Sequence, residues 1–176
     1  HTQLYNCQTN EVLPKRSLMF RIQHRFGAIG VDDTFYKQFL GMDLPANIRL
    51  GLSWAVTKNF MMGIGRTKKD KVWDLNGKYA LLKQTKDNRM PFSLSIYGNV
   101  GLSQDDLQTA DSTLFLADST TLYEAKFAHR VTYTGQLILS RKFGRMASIQ
   151  LTPTFVYRNL ADVGKDNHTI ALPISG

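Results

Sequence analysis

Long apolar runs are absent from this sequence. No stretch of its 176 residues approaches the ~20 consecutive apolar residues that a membrane-spanning helix requires. Helical membrane proteins are therefore excluded. A transmembrane β-barrel is not, because its strands alternate apolar and polar residues and any running average of hydropathy cancels the two.

Residues that carry catalysis or metal binding are also scarce. The one cysteine, Cys7, cannot form an internal disulfide bond, and the four histidines are scattered without metal-ligand spacing. There is no glycine-rich phosphate loop and no nucleophile elbow of the G-x-S-x-G type. We therefore expect no metal, no cofactor and no enzymatic activity.

Acidic residues are few relative to basic ones. Lysine and arginine total 22 against 14 aspartates and glutamates, which gives a formal net charge of +8. Such an excess is compatible with nucleic-acid binding. The basic residues, however, are spread over alternate strand positions rather than gathered with exposed aromatics. We therefore expect no nucleic-acid partner.

What the sequence has in abundance is alternation with a period of two residues, the pattern of a β-strand with two unlike faces. In residues 48–57, for example, Ile48, Leu50, Leu52 and Trp54 alternate with smaller or polar residues. Segments rich in Gly, Asn, Asp and Lys separate the alternating stretches, as expected of turns. The pattern predicts eight strands, at residues 18–26, 48–57, 60–66, 72–84, 92–102, 131–143, 147–158 and 169–174.

The lengths of the predicted connections alternate along the chain. The second, fourth and sixth are tight, at residues 57–59, 86–91 and 144–146. The first and fifth, at residues 28–47 and 103–130, are long. In an up-and-down barrel alternate connections lie at the same end, and outer-membrane barrels have short periplasmic turns and longer extracellular loops. The sequence therefore predicts an all-β, antiparallel up-and-down transmembrane β-barrel.

Aromatic residues of the apolar face fall into two bands, one near each end of the predicted strands. Such girdles are typical of lipid-facing barrel surfaces, although aromatics are also common in strands generally. The expected girdle comprises Trp54, Phe60, Phe92 and Phe143 near the tight turns and Phe26, Trp73, Tyr133 and Tyr157 near the long loops. Arg66 and Arg141 share this face and are expected near strand ends, where an arginine can reach the headgroups.

The opposite face carries most of the basic strand residues. On a soluble sheet they would lie in solvent. In a barrel whose apolar face meets lipid they must point inward, where an unpaired charge is costly. The expected lumen-facing basic residues are Arg21, Arg25, Arg49, Lys78 and Arg158. Among the strand positions of this face Asp74 is the one acid that offsets them, which predicts a positively biased interior.

Six strings, in order along the chain, resemble those of a known family. They are FRIQHRFG at residues 20–27, ANIRLGL at 46–52, MGIGR at 62–66, GKYALLKQ at 77–84, LILSRKF at 137–143 and PTFVYRNL at 153–160. From about residue 12 to about residue 172 the chain is similar to an uncharacterised outer-membrane β-barrel family of Bacteroidota, a domain of unknown function. The resemblance implies a barrel in the outer membrane, and it supplies no catalytic residues. We expect the protein to reach that membrane after removal of a signal peptide.

Members of that family continue for several more strands than this chain contains. We therefore expect residues 1–176 to form a single barrel domain that is incomplete. On this interpretation the full protein has ten or twelve strands, rather than the eight predicted in this chain.

Four functional hypotheses follow. The first is a passive or structural outer-membrane barrel whose basic lumen could admit small anions. The second is an interaction subunit of a larger cell-envelope assembly, which would dock through the long loops at residues 28–47 and 103–130. A lipid-modifying enzyme is disfavoured for want of a motif. A soluble lipocalin-like barrel would place Leu50, Trp54 and Ile96 inside, whereas a membrane barrel places them outside.

Overall fold

Antiparallel β-strands make up nearly all of the regular structure. The computed structural model describes residues 2–4, 7–25, 47–104, 126–144, 147–159 and 166–175. Two short 3-10 turns, Lys69–Lys71 and Phe127–Arg130, lie outside the strands. In the described part of the chain no helix is long and apolar enough to cross a membrane.

Twelve strands lie in the described residues, ten in one sheet and two in a separate hairpin. The hairpin consists of β1 (Gln3–Leu4) and β2 (Cys7–Gln8). The strands of the sheet are β3 (Leu18–Arg25), β4 (Asn47–Ala55), β5 (Phe60–Thr67), β6 (Trp73–Leu82), β7 (Ser93–Leu102), β8 (Val131–Phe143), β9 (Ala147–Leu151), β10 (Thr154–Arg158), β11 (His168–Ala171) and β12 (Ile174–Ser175).

The ten-stranded sheet is an antiparallel meander. Strands β3 to β8 are neighbours in chain order, and β8 then pairs with both β9 and β10 along its length. Strand β11 pairs with β10, and β12 pairs with β9. Strand β3 lies at one edge and β11 and β12 at the other, and within the described residues these two edges are not paired with each other. The predicted antiparallel up-and-down topology is confirmed.

Two proline residues divide the last two predicted strands. The backbone ladder is interrupted at Pro153 and at Pro173, because proline has no N–H to donate. Both prolines still accept a hydrogen bond through their carbonyls, from the N–H groups of Leu137 and Thr152, at 3.0 Å each. The eight predicted strand paths are therefore kept, and the larger number of strands in the sheet reflects two local breaks.

The three tight connections meet at one end of the sheet, the turn end. Lys83 Nζ donates a hydrogen bond to the Lys58 carbonyl at 2.8 Å. The Gln84 side chain donates to the Lys142 carbonyl and accepts from the Lys142 N–H, at 2.9 and 2.8 Å. These contacts join the β4–β5 and β6–β7 connections to each other and to the end of β8.

The remaining connections lie at the opposite end, the loop end. There Ser103 Oγ donates to the Asp70 carbonyl at 2.8 Å, and the Ser103 N–H donates to the Arg130 carbonyl at 2.9 Å. The two long connections join the sheet at this end, as their lengths predicted. Most of residues 28–47 and 103–130, the docking elements of the second hypothesis, lie outside the described residues.

One face of the sheet is apolar and exposed, and we call it the outer face. Leu50, Trp54 and Ile96 are 44%, 47% and 45% exposed, which is the reverse of a lipocalin-like barrel. Strand register extends this face across the sheet. Its other exposed apolar residues include Leu18, Phe20, Ile22, Leu52, Ile64, Leu75, Leu137, Leu139 and Phe155.

The outer face also carries the predicted aromatic girdle. The exposed members are Trp54, Phe92 and Phe143 toward the turn end and Trp73, Tyr133 and Tyr157 toward the loop end. Phe60 is half-buried, with its ring centroid 6.4 Å from that of Tyr79. Phe26 lies outside the described residues.

The two arginines of the outer face both stack on aromatic rings near strand ends. The Arg66 guanidinium lies 5.2 Å from the Trp73 ring centroid at the loop end. The Arg141 guanidinium lies 5.1 Å from the Phe143 ring centroid at the turn end. Stacking over a ring is favourable for a cation. Each charge is thus held at a margin of the apolar surface rather than in its middle.

The polar face, which we call the inner face, curves around the N-terminal hairpin. Thr2 accepts a hydrogen bond from Arg21 on β3, while the Gln8 carbonyl accepts one from Gln150 on β9, at 2.5 and 2.8 Å. In a flat sheet these strands would lie about 29 Å apart, at about 4.8 Å per step. Yet a backbone hydrogen bond of 3.1 Å joins Thr9 to Thr2. The sheet therefore wraps around the hairpin, which the sequence had not predicted.

The outward position of both tryptophans predicts that lipid acyl chains reach them. In bilayers with brominated acyl chains, the protein should lose most of its tryptophan fluorescence relative to the same lipid without bromine. Trp54→Phe leaves Trp73 as the reporter of quenching at the loop end, and Trp73→Phe leaves Trp54 as the reporter at the turn end. As a control, Tyr97→Trp in the double-phenylalanine background places the one tryptophan on the inner face, where quenching should be much weaker. Equal quenching of inner and outer reporters would contradict this assignment of faces.

Candidate functional site

The inner face contains a bidentate ion pair. Arg49 Nε lies 2.8 Å from Asp74 Oδ2, and Arg49 Nη2 lies 2.5 Å from Asp74 Oδ1. Two parallel N–H···O bonds of this kind are among the strongest that side chains form. Asp74 is 7% exposed, so its charge is held away from bulk water. The acid predicted to offset the basic interior is thus committed to one arginine.

Neutral amides complete the surroundings of this ion pair. Arg49 Nη1 donates to Gln23 Oε1 at 2.9 Å. Asn76 Nδ2 and Asn99 Nδ2 donate to Asp74 Oδ1 at 3.1 and 3.2 Å. A buried ion pair is favourable only when its remaining donors and acceptors are also satisfied, and this one meets that condition.

Glycine at position 65 makes room for the pair. Gly65 lies directly across the ladder from both Gly51 and Asp74. A Cβ at this position would collide with Asp74 Oδ2 at 2.5 Å and with the Arg49 guanidinium. Gly65 therefore has a steric role, since any larger residue would displace the ion pair.

Lys78 is the most buried charge of the inner face, at 2% exposure. Its Nζ donates to the backbone carbonyls of Thr2 and Thr9, at 3.0 Å each. Among the described residues no carboxylate lies within ion-pairing distance of this ammonium. Backbone oxygens of the N-terminal hairpin therefore take the place that a counter-charge would otherwise fill.

Arg21 holds the same hairpin from a neighbouring part of the wall. Its Nη1 donates to Gln3 Oε1 at 2.6 Å, and its Nη2 donates to Thr2 Oγ1 at 2.5 Å. Both acceptors are neutral, so the arginine charge is solvated without being cancelled.

Further along the chain, polar side chains of other strands bind the segment that follows β2. Asn10 Nδ2 donates to Ser140 Oγ at 2.7 Å, and Asn10 Oδ1 accepts from Ser95 Oγ at 2.5 Å. Residues 2–4 and 7–11, which we call the N-terminal segment, are thus bound by side chains of five strands, β3 and β6 to β9.

The segment ends at the turn end in an exposed ion pair. Lys142 Nζ donates to Glu11 Oε1 at 2.7 Å, and this hydrogen bond holds the pKa of Glu11 below its usual value. A lowered carboxyl pKa stabilises the folded state above the ordinary carboxyl pKa, and this contribution is lost as pH falls through the lowered value. Because both side chains are exposed, the contribution is at most about 1 kcal/mol.

The N-terminal segment contributes to the lining of two cavities. Toward the loop end lies a cavity of about 330 Å³, lined by Thr2, Gln3 and Gln8 of the segment and by wall residues that include Arg21 and Arg49. At the turn end lies a cavity of about 750 Å³ whose lining includes Asn10 and Glu11 of the segment. The segment therefore lies between two spaces that would otherwise belong to one interior.

The five predicted lumen-facing basic residues occupy three different settings. Arg21, Arg25 and Arg49 line the cavity near the loop end. Lys78 lies against the N-terminal segment. Arg158 pairs across the ladder with Thr132, which lines the same cavity, and its own side chain is exposed.

The partners of these cations are what the sequence analysis missed. Residues 2–4 and 7–11 show no alternation long enough to predict strands, since β1 and β2 have two residues each. One signal was available: an inner face with many cations and one acid requires additional acceptors. The nearby run of Thr, Gln and Asn residues could have supplied them.

Asp74→Asn should destabilise the protein by about 3 kcal/mol, because it leaves the Arg49 guanidinium without its counter-charge. The free energy of unfolding in urea, measured in detergent micelles, tests this. The double variant Arg49→Gln/Asp74→Asn should lose less than the sum of the two single variants. Strictly additive losses would show that the pair is not coupled. Gly65→Ala should resemble Asp74→Asn, whereas Gly98→Ala, with open space at its Cβ, is the matched control.

Residues 1–176 match the family described as "Membrane bound beta barrel domain (DUF5777)". No curated protein and no solved structure matches the chain significantly. The family match covers the whole chain, and its description agrees with a wrapped antiparallel sheet that is apolar outside and polar inside. The chain belongs to this family of membrane-bound β-barrel domains.

Proposed function

We propose that this chain serves as a passive, structural barrel of the bacterial outer membrane, with a basic interior that its own N-terminal segment closes. Membrane binding is a property of the family. Placement in the outer membrane is supported by the architecture, since strands cross a membrane as closed barrels, and by the similarity to a Bacteroidota outer-membrane family. The same similarity leads us to propose that further strands join β3 to β11 and β12, which the strand count of the full-length protein would test.

The observation that carries this proposal is the binding of the N-terminal segment across the interior. Lys78 Nζ bonds two of its carbonyls, Arg21 bonds two of its side chains, and Gln150 bonds the Gln8 carbonyl. Partners on five strands hold the segment from several sides of the curved wall. A segment held in this way obstructs diffusion along the barrel axis, which favours a structural role over an open pore.

The basic wall determines which ions pass when the segment is displaced. Arg21, Arg25, Arg49 and Lys78 face one acid, Asp74, among the described strand positions of the inner face. Rings of Arg and Lys favour anions, because a low-dielectric wall strengthens the field that a permeating ion experiences. The small-anion pore of the first hypothesis is therefore the open form of the same barrel.

Conductance of the full-length protein in planar bilayers tests the closed interior. The intact protein should show little or no steady conductance. Lys78→Met removes both hydrogen bonds to the segment backbone and should produce brief openings, and deletion of residues 2–11 should produce larger, steady ones. Those openings should prefer anions over cations severalfold, and Arg21→Gln together with Arg49→Gln should reduce the preference.

Lys83→Met is the matched control, because its Nζ bonds a carbonyl of the exposed Lys58 turn and not the N-terminal segment. It should leave the conductance unchanged. A large steady conductance of the intact protein would contradict the closed interior. Cation selectivity of the deletion variant would show that acids outside the described residues govern the interior.

The barrel orientation is a second part of the proposal. Tight connections gather at the turn end and the long connections join the loop end. Outer-membrane barrels place short turns in the periplasm and long loops outside the cell. We therefore assign the turn end to the periplasm.

Cysteine labelling of intact cells tests this orientation. In a Cys7→Ser background, Lys69→Cys at the loop end should react with a membrane-impermeant maleimide, while Lys86→Cys at the turn end should react only after the outer membrane is permeabilised. Both lysines are exposed, which makes the pair a matched comparison. Labelling of Lys86→Cys alone in intact cells would reverse the orientation.

A further inference from the structure

The cavity toward the loop end carries more positive charge than its lining cancels. Three guanidinium groups line it, those of Arg21, Arg25 and Arg49, together with one carboxylate, that of Asp74. The carboxylate is bound in bidentate fashion by Arg49. Two arginine charges are therefore left without an acid in this lining.

The remaining two arginines differ in how far they are already engaged. Arg21 donates to the neutral oxygens of Thr2 and Gln3, which leaves its charge in place. Arg25 is exposed, and in the described part of the chain no carboxylate lies within ion-pairing distance of it. Arg25 lies four residues beyond Arg21 on the same face of β3, so both border one space.

The rest of the lining carries no further charge, and several of its side chains can form hydrogen bonds. It includes Gln23, Tyr97, Asn99 and Thr132, whose amide and hydroxyl groups both donate and accept. The volume of about 330 Å³ lies within the usual range of small-molecule sites. Thr2, Gln3 and Gln8 of the N-terminal segment form part of its boundary.

We propose that this cavity is a binding site for a small soluble oxyanion, a carboxylate or a phosphate group, that enters and leaves at the loop end. Arg25 and Arg21 supply the charge, and the neutral amides and hydroxyls orient the anion. Arginine suits this ligand class, because its planar fork matches the oxygens of carboxylate and phosphate. The inference rests on the proposed closed interior, which turns a basic channel into a blind pocket.

Isothermal titration calorimetry tests the site. The full-length protein in detergent micelles is titrated with inorganic phosphate at low ionic strength. Phosphate should bind with one site per chain, acetate should compete, and ammonium should not. Arg25→Gln should weaken phosphate binding about tenfold or more, the usual effect of losing a charged hydrogen bond. Added sodium chloride should weaken it further through screening.

Arg141→Gln is the matched control, because Arg141 lies on the outer face over Phe143 and should not affect phosphate. Arg21→Lys, which keeps the charge, should bind more tightly than Arg21→Gln. No phosphate binding, or equal losses for Arg25→Gln and Arg141→Gln, would overturn the site. Steady conductance of the intact protein would overturn the closed interior alone, since phosphate binding and its loss in Arg25→Gln are measured independently of conductance.

Discussion

The interior of this barrel depends on the hydrogen bonds that the Lys78 ammonium donates to two backbone carbonyls. This lysine is 2% exposed. An outer face committed to lipid forces most polar side chains of the strands inward. Burying a charge without partners would cost far more than a hydrogen bond returns. The carbonyls of Thr2 and Thr9 remove that cost for Lys78. The N-terminal segment is therefore part of the core, and Thr2 and Thr9 are both buried.

The same requirement explains the shape of the sheet. Side chains on strands as far apart as β3 and β9 can reach one short segment only if the sheet curves around it. Small residues at the inner level of Arg21, namely Gly51 and Gly65, leave space for the long arginine side chains that cross there. The interior thus contains long polar side chains and a backbone hairpin, beside a few buried apolar residues, Ala55, Met61, Ala80 and Ile138.

The sequence could predict the features that follow from alternation of apolar and polar residues with a period of two. Alternation in β3 to β8 placed Leu50, Trp54 and Ile96 outside, because each is fixed by neighbours two positions away. The parity of long and short connections followed from the same strand order. The N-terminal hairpin was beyond this reasoning, since strands of two residues have no period. Alternation also could not predict the steric role of Gly65. That role depends on the side chains of Arg49 and Asp74, which lie on the two strands beside it. Proline breaks at Pro153 and Pro173 could have been anticipated from the missing N–H.

Cations of the inner face are used differently along the barrel axis. At the turn end Lys142 pairs with Glu11, and next Lys78 and Arg21 bind neutral oxygens of the N-terminal segment. Two residues beyond the level of Arg21 toward the loop end, Arg49 is neutralised by Asp74, and two residues further Arg25 is exposed. Charges deep in the barrel thus have partners from the chain itself, while the charge nearest the loop end does not have one in the described residues. A solute arriving from that end meets the unsatisfied charge first. As we propose, a passive wall and an anion pocket share one set of basic residues, because those deep in the barrel are already bound by the chain itself.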